Sequence, residues 1–432
     1  MLNPGQRIGE NGHLFIGECD VTTLASEYGT PLYVMNENVI RNNCRAFVSA
    51  FDKYYGGNGR AYFASKAFSC LEIYRIVKEE GMGVDVVSGG ELYTAMKAGF
   101  PAEKINFHGN NKTYLELKMA IEYGVGKIIV DNYEEFGTIS EIAKALNKKV
   151  EVAIRIKPGV EAHTHDYIKT GQIDSKFGFA IENEEAYRAV EKALEYKDNI
   201  ILNGVHCHIG SQIFDVVPFA DAAEIMMDFV AEIRNRYGVE IIELNLGGGF
   251  GIKYIDSDEP KNFENYIEIV SDAVKSKAKE HSMKVPFVSI EPGRSIVGEA
   301  GVTLYTVGGI KNIPGVRTYV SVDGGMGDNI RYALYQAEYT VINALKADKE
   351  CINKVTIAGK CCESGDLIQE NVMIADTLPG DILAVLSTGA YNYSMSSNYN
   401  RIPRPAVVMV KDDSHRVIVK RESYEDLIKN DI

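Results

Sequence analysis

Short apolar runs alternate with longer amphipathic stretches over most of this chain, beginning just before residue 40. From Asn38 to Lys53, the residues Val39, Ile40, Cys44, Phe47, Val48 and Phe51 recur at helical spacing on one face. The β-branched runs that follow predict strands at Ala61–Ala67, Gly83–Ser88, Ile105–Gly109, Lys127–Asn132, Val150–Pro158, Ile201–Ser211, Ile241–Gly249 and Val285–Arg294. Between them, helices are expected at Leu71–Glu80, Glu91–Ala98, Tyr114–Tyr123, Tyr133–Leu146, Glu182–Tyr196, Phe219–Tyr237 and Phe263–His281. Repetition of this kind is the pattern of parallel βαβ units. The helix at 38–53 supplies the eighth helical position, so the reading is α/β, a closed (β/α)8 TIM barrel over residues 36–295. An open, doubly wound eight-strand sheet is the competing arrangement.

Beyond Arg294 the texture changes to short apolar runs without long helices between them. Strands are expected at Val302–Val307, Arg317–Val322, Lys354–Ala358, Asp381–Leu386, Ala406–Val410 and Arg416–Lys420, with Lys411-Asp-Asp-Ser-His415 as a hairpin turn. Near the start, His13–Gly17 reads as a strand, Asp20 or Thr22 as a helix cap, and Tyr28–Met35 as a turn into a further strand. Residues 1–35 and 296–432 are therefore expected to form one mostly β domain. The strand at 13–17 should join it, leaving the barrel inserted between its pieces. A short helix at Tyr424–Lys429 ends the pattern.

Composition narrows the partners. A formal charge of -14 argues against nucleic acid, since phosphate binding needs a basic face. No apolar run approaches the roughly 18 residues that a membrane span requires. The start Met1-Leu-Asn-Pro-Gly-Gln-Arg lacks the basic-then-apolar order of a secretion signal, which makes the cytoplasm the expected compartment. Seven cysteines without metal spacing read as reduced thiols, and no metal site is expected.

Barrel enzymes collect their chemistry at the C-terminal ends of the strands. Here those ends carry Lys66, Asp85 to Ser88, His108, His206-Cys-His208-Ile-Gly-Ser211, Gly247-Gly-Gly-Phe-Gly251 and Glu291-Pro292-Gly293-Arg294. Each has a plain structural alternative. A strand-end lysine can lay its stem over the core, a histidine can be a satisfied core residue, and Arg294 can simply pair with Glu291. Gathered on one rim, however, they are hard to explain by stability. A lysine in apolar surroundings suits a Schiff base with a carbonyl cofactor, for which pyridoxal phosphate is the commonest partner. The glycine run can offer backbone N–H groups to a phosphate. It is not a dinucleotide fingerprint, because Ile252 stands where the last glycine would be, and no P-loop motif occurs.

Six segments in order, Tyr62-Phe-Ala-Ser-Lys66-Ala, His208-Ile-Gly-Ser211, Gly247-Gly-Gly-Phe-Gly251, Glu291-Pro-Gly-Arg294, Cys362-Glu-Ser-Gly-Asp366 and Gly389-Ala-Tyr391, resemble the fold-type III pyridoxal-phosphate decarboxylases. Within that group they are most similar to the diaminopimelate decarboxylases, which make L-lysine from meso-2,6-diaminopimelate. The resemblance covers nearly the whole chain. It implies the alanine racemase-like fold and pyridoxal 5'-phosphate as cofactor, with Lys66 as the Schiff-base lysine and Asp85 beside the cofactor. His208 would lie on the ring face, and Ser211, Gly249, Pro292, Gly293 and Arg294 around the phosphate. Glu291 would pair with the ring nitrogen, where related racemases carry an arginine.

The resemblance also implies that Arg294, Arg331 and Tyr335 hold the distal carboxylate of an amino-acid substrate and Glu363 its distal ammonium. Tyr391 would reach both cofactor and substrate. Cys362 would be the proton donor and would arrive from a partner subunit, so that a homodimer shares its active sites. Phe68 departs from the small polar residue frequent after Lys-Ala. A decarboxylase for ornithine, arginine or carboxynorspermidine is the rival enzyme reading, and a non-catalytic cofactor-binding protein on the same scaffold is the rival from another class.

Overall fold

The computed structural model describes residues 2–160 and 175–432. They form two compact units, one of Asn43–Gly251 with Glu259–Gly293, the other of Met1–Asn42, Ile252–Asp258 and Arg294–Ile432.

The first unit is the barrel. Its strands are β1 (Gly59–Ala64), β2 (Gly83–Val86), β3 (Ile105–Phe107), β4 (Lys127–Val130), β5 (Val150–Lys157), β6 (Ile200–Cys207), β7 (Glu243–Asn245) and β8 (Phe287–Ile290). All neighbours are parallel; β8 pairs with β1 and β4 with β5, so the eight strands close into a ring. The open sheet is thereby excluded. Several strands are buried along their whole length, as in β3 and β4, which explains apolar runs rather than alternation. Every expected helix is present. Between strand and helix the chain repeatedly places a small polar cap: Ser88, Thr113, Asn132 and Asn262 each accept a backbone N–H from the first turn. Such caps contribute about 1 kcal/mol each.

Each barrel strand stops earlier than its apolar run. The run at 61–67 leaves the ladder at Ala64 and continues as a 3-10 turn, Ser65–Ala67; that at 241–249 stops at Asn245. The extra residues are the loops of the C-terminal rim. At the opposite end Lys127, buried, lies 2.8 Å from both Glu243 and Asn203 Oδ1, a satisfied polar floor.

The second unit is built on a mixed sheet. Leu32–Asn36 lies between the long strand Gly301–Ile313, antiparallel, and Ala406–Lys411, parallel. Ala406–Lys411 turns back into Ser414–Val419 through Asp412 and Asp413. Arg317–Val322, Asn353–Ala358 and Leu367–Ile374 extend the sheet on the other side, and the last of these was not evident in the sequence. The strand at Leu14–Ile16 lies in this unit and pairs with Gln6–Ile8 and Cys19–Asp20 in a separate three-stranded sheet. Its side chains nevertheless join the core formed by Leu32, Val34, Val302 and Val408. Asp20 is the helix cap, accepting the Thr22 N–H at 2.9 Å. Ile252 and Tyr254 pack with Tyr305, Val307, Tyr339 and Leu383, which places their segment in this unit although barrel elements flank it in sequence.

Candidate active site

In the barrel unit the 3-10 turn after β1 fixes Lys66. Ser65 and Ala67 point inward and are fully buried, so the residue between them faces out and is exposed. Ser65 Oγ holds the turn, 2.7 Å from the Asp85 carbonyl and 2.7 Å from a Glu91 carboxylate oxygen. The Lys66 amine has no hydrogen bond or ion pair among the described residues. Its charge is felt by Asp85, Glu91 and His208 alike, which places it over the same rim.

Glu291, just past β8, is buried and held from several strands. Asn245 Nδ2 donates to one carboxylate oxygen at 2.7 Å, His108 Nε2 stands 2.7 Å from the same oxygen, and His206 Nε2 donates to the other at 3.1 Å. Burial raises the carboxyl pKa, but the two imidazoles outweigh it and hold the group well below the usual carboxylate range. Asp85, 3.8 Å from His108, goes the other way: burial pushes it up to about 7. Burial also lowers His206, to about 4, leaving a neutral ring that can donate from Nε2. One Asp85 carboxylate oxygen and His206 Nδ1 are buried with no hydrogen-bond partner among the described residues.

His208 is half-buried. Its Nδ1 accepts the Gly248 N–H at 3.2 Å, and burial together with the Lys66 charge keeps the ring neutral. The glycine loop itself is pinned by Phe250, whose ring stacks on Phe219 at 5.2 Å and meets Phe47 and Tyr266 at 5.3 Å. Only glycine fits at 248 and 249: a Cβ would come within 2.1 Å of the Glu291 carbonyl oxygen and 2.4 Å of the Gly210 carbonyl oxygen, respectively. Gly249 also has a positive φ of 119°. Ser211 is half-buried beside this loop, and Pro292 and Gly293 are buried, the Pro292 carbonyl accepting the Ala64 N–H at 3.1 Å. An outward lysine amine, a glycine cradle without side chains, a neutral imidazole and a buried ionised carboxylate fit pyridoxal phosphate.

A second group lies in the β unit. Arg294 donates to the hydroxyl of Tyr254, and its guanidinium lies 4.9 Å from the Tyr391 ring. Arg331, buried, donates to Tyr339 Oη at 2.7 Å and lies 5.1 Å from the Tyr254 ring. The structure therefore brings Arg294 and Arg331 together around Tyr254, with Tyr391 against Arg294. Tyr335, at the end of the same short helix as Arg331, has no hydrogen bond or ring contact with either arginine. Cys362 and Glu363 are exposed on a loop of their own. Asp366 anchors that loop by accepting the N–H groups of Cys361, at 2.6 Å, and Met326, at 2.5 Å; Asn400 Oδ1 accepts that of Cys362 at 2.7 Å. Phe68 is buried in the barrel unit.

Sequence reasoning assigned no role to His108, His206, Asn245, Tyr254 or Asn400. The two histidines stand at strand ends and were visible as such; the others occupy positions with no local signal.

Residues 37–298 match the family described as pyridoxal-dependent decarboxylase, pyridoxal binding domain. The chain is 51% identical to diaminopimelate decarboxylase of Bacillus subtilis, over 100% of this chain and 98% of that protein. It is 46% identical to the Staphylococcus aureus enzyme of the same name, over 98% of this chain and 99% of the relative. Among solved structures, diaminopimelate decarboxylase from M. jannaschii in complex with L-lysine superposes with a TM-score of 0.91 at 39% identity, covering 100% of this chain and 99% of that one. With an outward lysine and a buried glutamate on one barrel rim, and this likeness running from end to end, the chain belongs to the diaminopimelate decarboxylases of the pyridoxal-dependent decarboxylase family.

Proposed function

We propose that this chain decarboxylates meso-2,6-diaminopimelate to L-lysine and CO2, the closing step of lysine biosynthesis, with Lys66, Glu291 and Cys362 in the central roles. The observation that carries this reading is Glu291, a buried carboxylate kept ionised beside a rim on which the Lys66 amine stands without a partner. Pyridoxal 5'-phosphate, when bound, supplies an electron sink for the pair left by departing CO2. Lys66 would hold its carbonyl carbon, His208 its ring face, Glu291 its ring nitrogen, and Ser211, Gly249, Pro292, Gly293 and Arg294 its phosphate end. Asp85 would face it from β2, and Tyr391 would complete its surroundings. An ionised Glu291 favours a protonated ring nitrogen, which strengthens the sink.

Arg331, Arg294 and Tyr335 bind the distal carboxylate and Glu363 the distal ammonium. Arg331 is a buried cation with only phenols around it, which is costly unless an anion arrives. Ornithine has no distal carboxylate to offer, so this feature favours a dicarboxylic substrate. Cys362 Sγ delivers a proton to the carbon that has lost CO2. Burial and the Asp366 carboxylate push its neighbour Cys361 up to about 11, which keeps that thiol protonated and inert. Cys362 and Glu363 are exposed in their own chain, which supports the reading that they serve the site of a second copy in a homodimer. No described helix is long and apolar enough to cross a membrane. The seven cysteines, all among the described residues, form no disulfide, which supports a cytoplasmic setting.

The test is CO2 release from meso-diaminopimelate and from ornithine, with and without added pyridoxal phosphate. Cofactor-dependent release from the first alone is expected. Faster release from ornithine would overturn the substrate reading.

A further inference from the structure

The arginines of the β unit are not arranged as isolated surface charges. Arg294, Arg331 and Tyr254 are each less than a tenth exposed, and the Tyr254 phenol takes a hydrogen bond from Arg294 while lying beside Arg331. Tyr254 cannot drift. Its backbone N–H is held by Asp258 at 2.9 Å and its carbonyl by Thr340 Oγ1 at 2.9 Å; its ring meets Tyr339 edge-on at 5.5 Å. Tyr339 in turn accepts from Arg331 and lies 3.4 Å from Asn392 Oδ1. Among the described residues Arg331 has no carboxylate partner, and Asn392 Nδ2 is buried with no acceptor. Arg331 therefore carries a positive charge, and Asn392 a donor, that the described residues around them do not satisfy, and burial makes that imbalance expensive. Burial raises the phenol pKa of Tyr254, yet the two guanidiniums bring it below its ordinary value.

We propose that Tyr254 is a positioning residue for the distal carboxylate of the substrate: its phenol accepts from Arg294 while its ring lies against Arg331, and so it keeps the two guanidiniums converged until a carboxylate joins them. The inference rests on the substrate reading above and deepens it. Without Tyr254 the two like charges have no common partner, separate, and must be gathered again at each binding event. Affinity for any ligand with a distal carboxylate then falls, while the steps at the reacting carbon are left alone.

The experiment measures binding of L-lysine, which keeps that carboxylate, and of cadaverine, which has none, to the holoenzyme by calorimetry. For Tyr254→Phe, loss of a hydrogen bond to a charged group lowers L-lysine affinity about tenfold. The KM for meso-diaminopimelate should rise by a similar factor, with kcat nearly unchanged and cadaverine affinity unmoved. Tyr339→Phe, which releases only Arg331, should cost less than Tyr254→Phe. Unchanged L-lysine affinity, parallel loss of L-lysine and cadaverine, or a larger effect at Tyr339 would overturn the inference. If the wild-type enzyme does not turn over meso-diaminopimelate, it is the substrate reading that fails instead.

Discussion

His108 holds its Nε2 2.7 Å from a carboxylate oxygen of Glu291, and the same nitrogen is 3.8 Å from Asp85, so one imidazole sits between two buried acids. His206 approaches Glu291 from the other side, with its ring 4.8 Å from that of His108. The charge on Glu291 is thus set by its surroundings, and the consequence is open to measurement.

His206 titrates near 4 when folded and near 6.5 when unfolded. Between those values the unfolded chain binds the extra proton, so this group's stabilisation is full above pH 6.5 and is lost as pH falls. From pH 7 to 5 the loss should be about 2 kcal/mol. Asp85, raised to about 7, works in the opposite direction over the same window. Chemical denaturation of the wild type and of His206→Gln at both pH values isolates the histidine. The variant should lose less stability on acidification, and equal slopes would refute the assignment.

Gly248→Ala should be damaging, because the new methyl would lie 2.1 Å from the backbone oxygen of Glu291, and backbone cannot swing aside as a side-chain end can. Overpacking of this sort costs about 1–3 kcal/mol. The shift should also move Glu291 itself, so cofactor retention after gel filtration should fall along with the melting temperature. Gly309→Ala, with open space around it, is the control and should change neither.

Asn400 takes the Cys362 N–H while its own backbone has φ of 53°. Two roles are therefore superimposed: tolerance of a left-handed conformation and a side-chain hydrogen bond. Asn400→Gly keeps the first and removes the second. If the bond positions the thiol, kcat should drop about tenfold, the loss expected for one positioning contact, with little change in KM or melting temperature. Full activity in Asn400→Gly would show the bond to be incidental.

The proposed sharing of active sites makes a mixing prediction. Lys66→Ala and Cys362→Ala should each be inactive alone. Mixed and re-equilibrated, half the dimers are hybrid and each hybrid carries one intact site, so about one quarter of wild-type activity should return. No recovery would mean that each subunit uses its own thiol.

Much of this was legible in the sequence. The alternation of apolar runs and helical periods predicted eight strands in their true order, since each element's pattern is local. Lys66, His108, His208, the glycine run and Glu291 could be placed on one rim because a parallel barrel sends every strand end to the same side. The β unit was read less well. Leu14–Ile16 has the alternation of a sheet strand, but alternation does not name a partner, and only the fold pairs it with Gln6–Ile8 and Cys19–Asp20. Leu367–Ile374 was missed because Gln369, Glu370 and Asn371 interrupt its apolar run.

What the sequence by itself determined is therefore the set of groups and their order along the rim, because strand direction and spacing are written in local periodicity. What only the tertiary structure decided is how those groups are charged and held. Asn245 and His206 reach Glu291 from strands 46 and 85 residues away in the chain, and Tyr254 meets Arg331 through packing against Tyr339. Burial and neighbouring charge shift a pKa through the three-dimensional surroundings of a side chain. Those surroundings exist only once the barrel has closed and the β unit's core has formed.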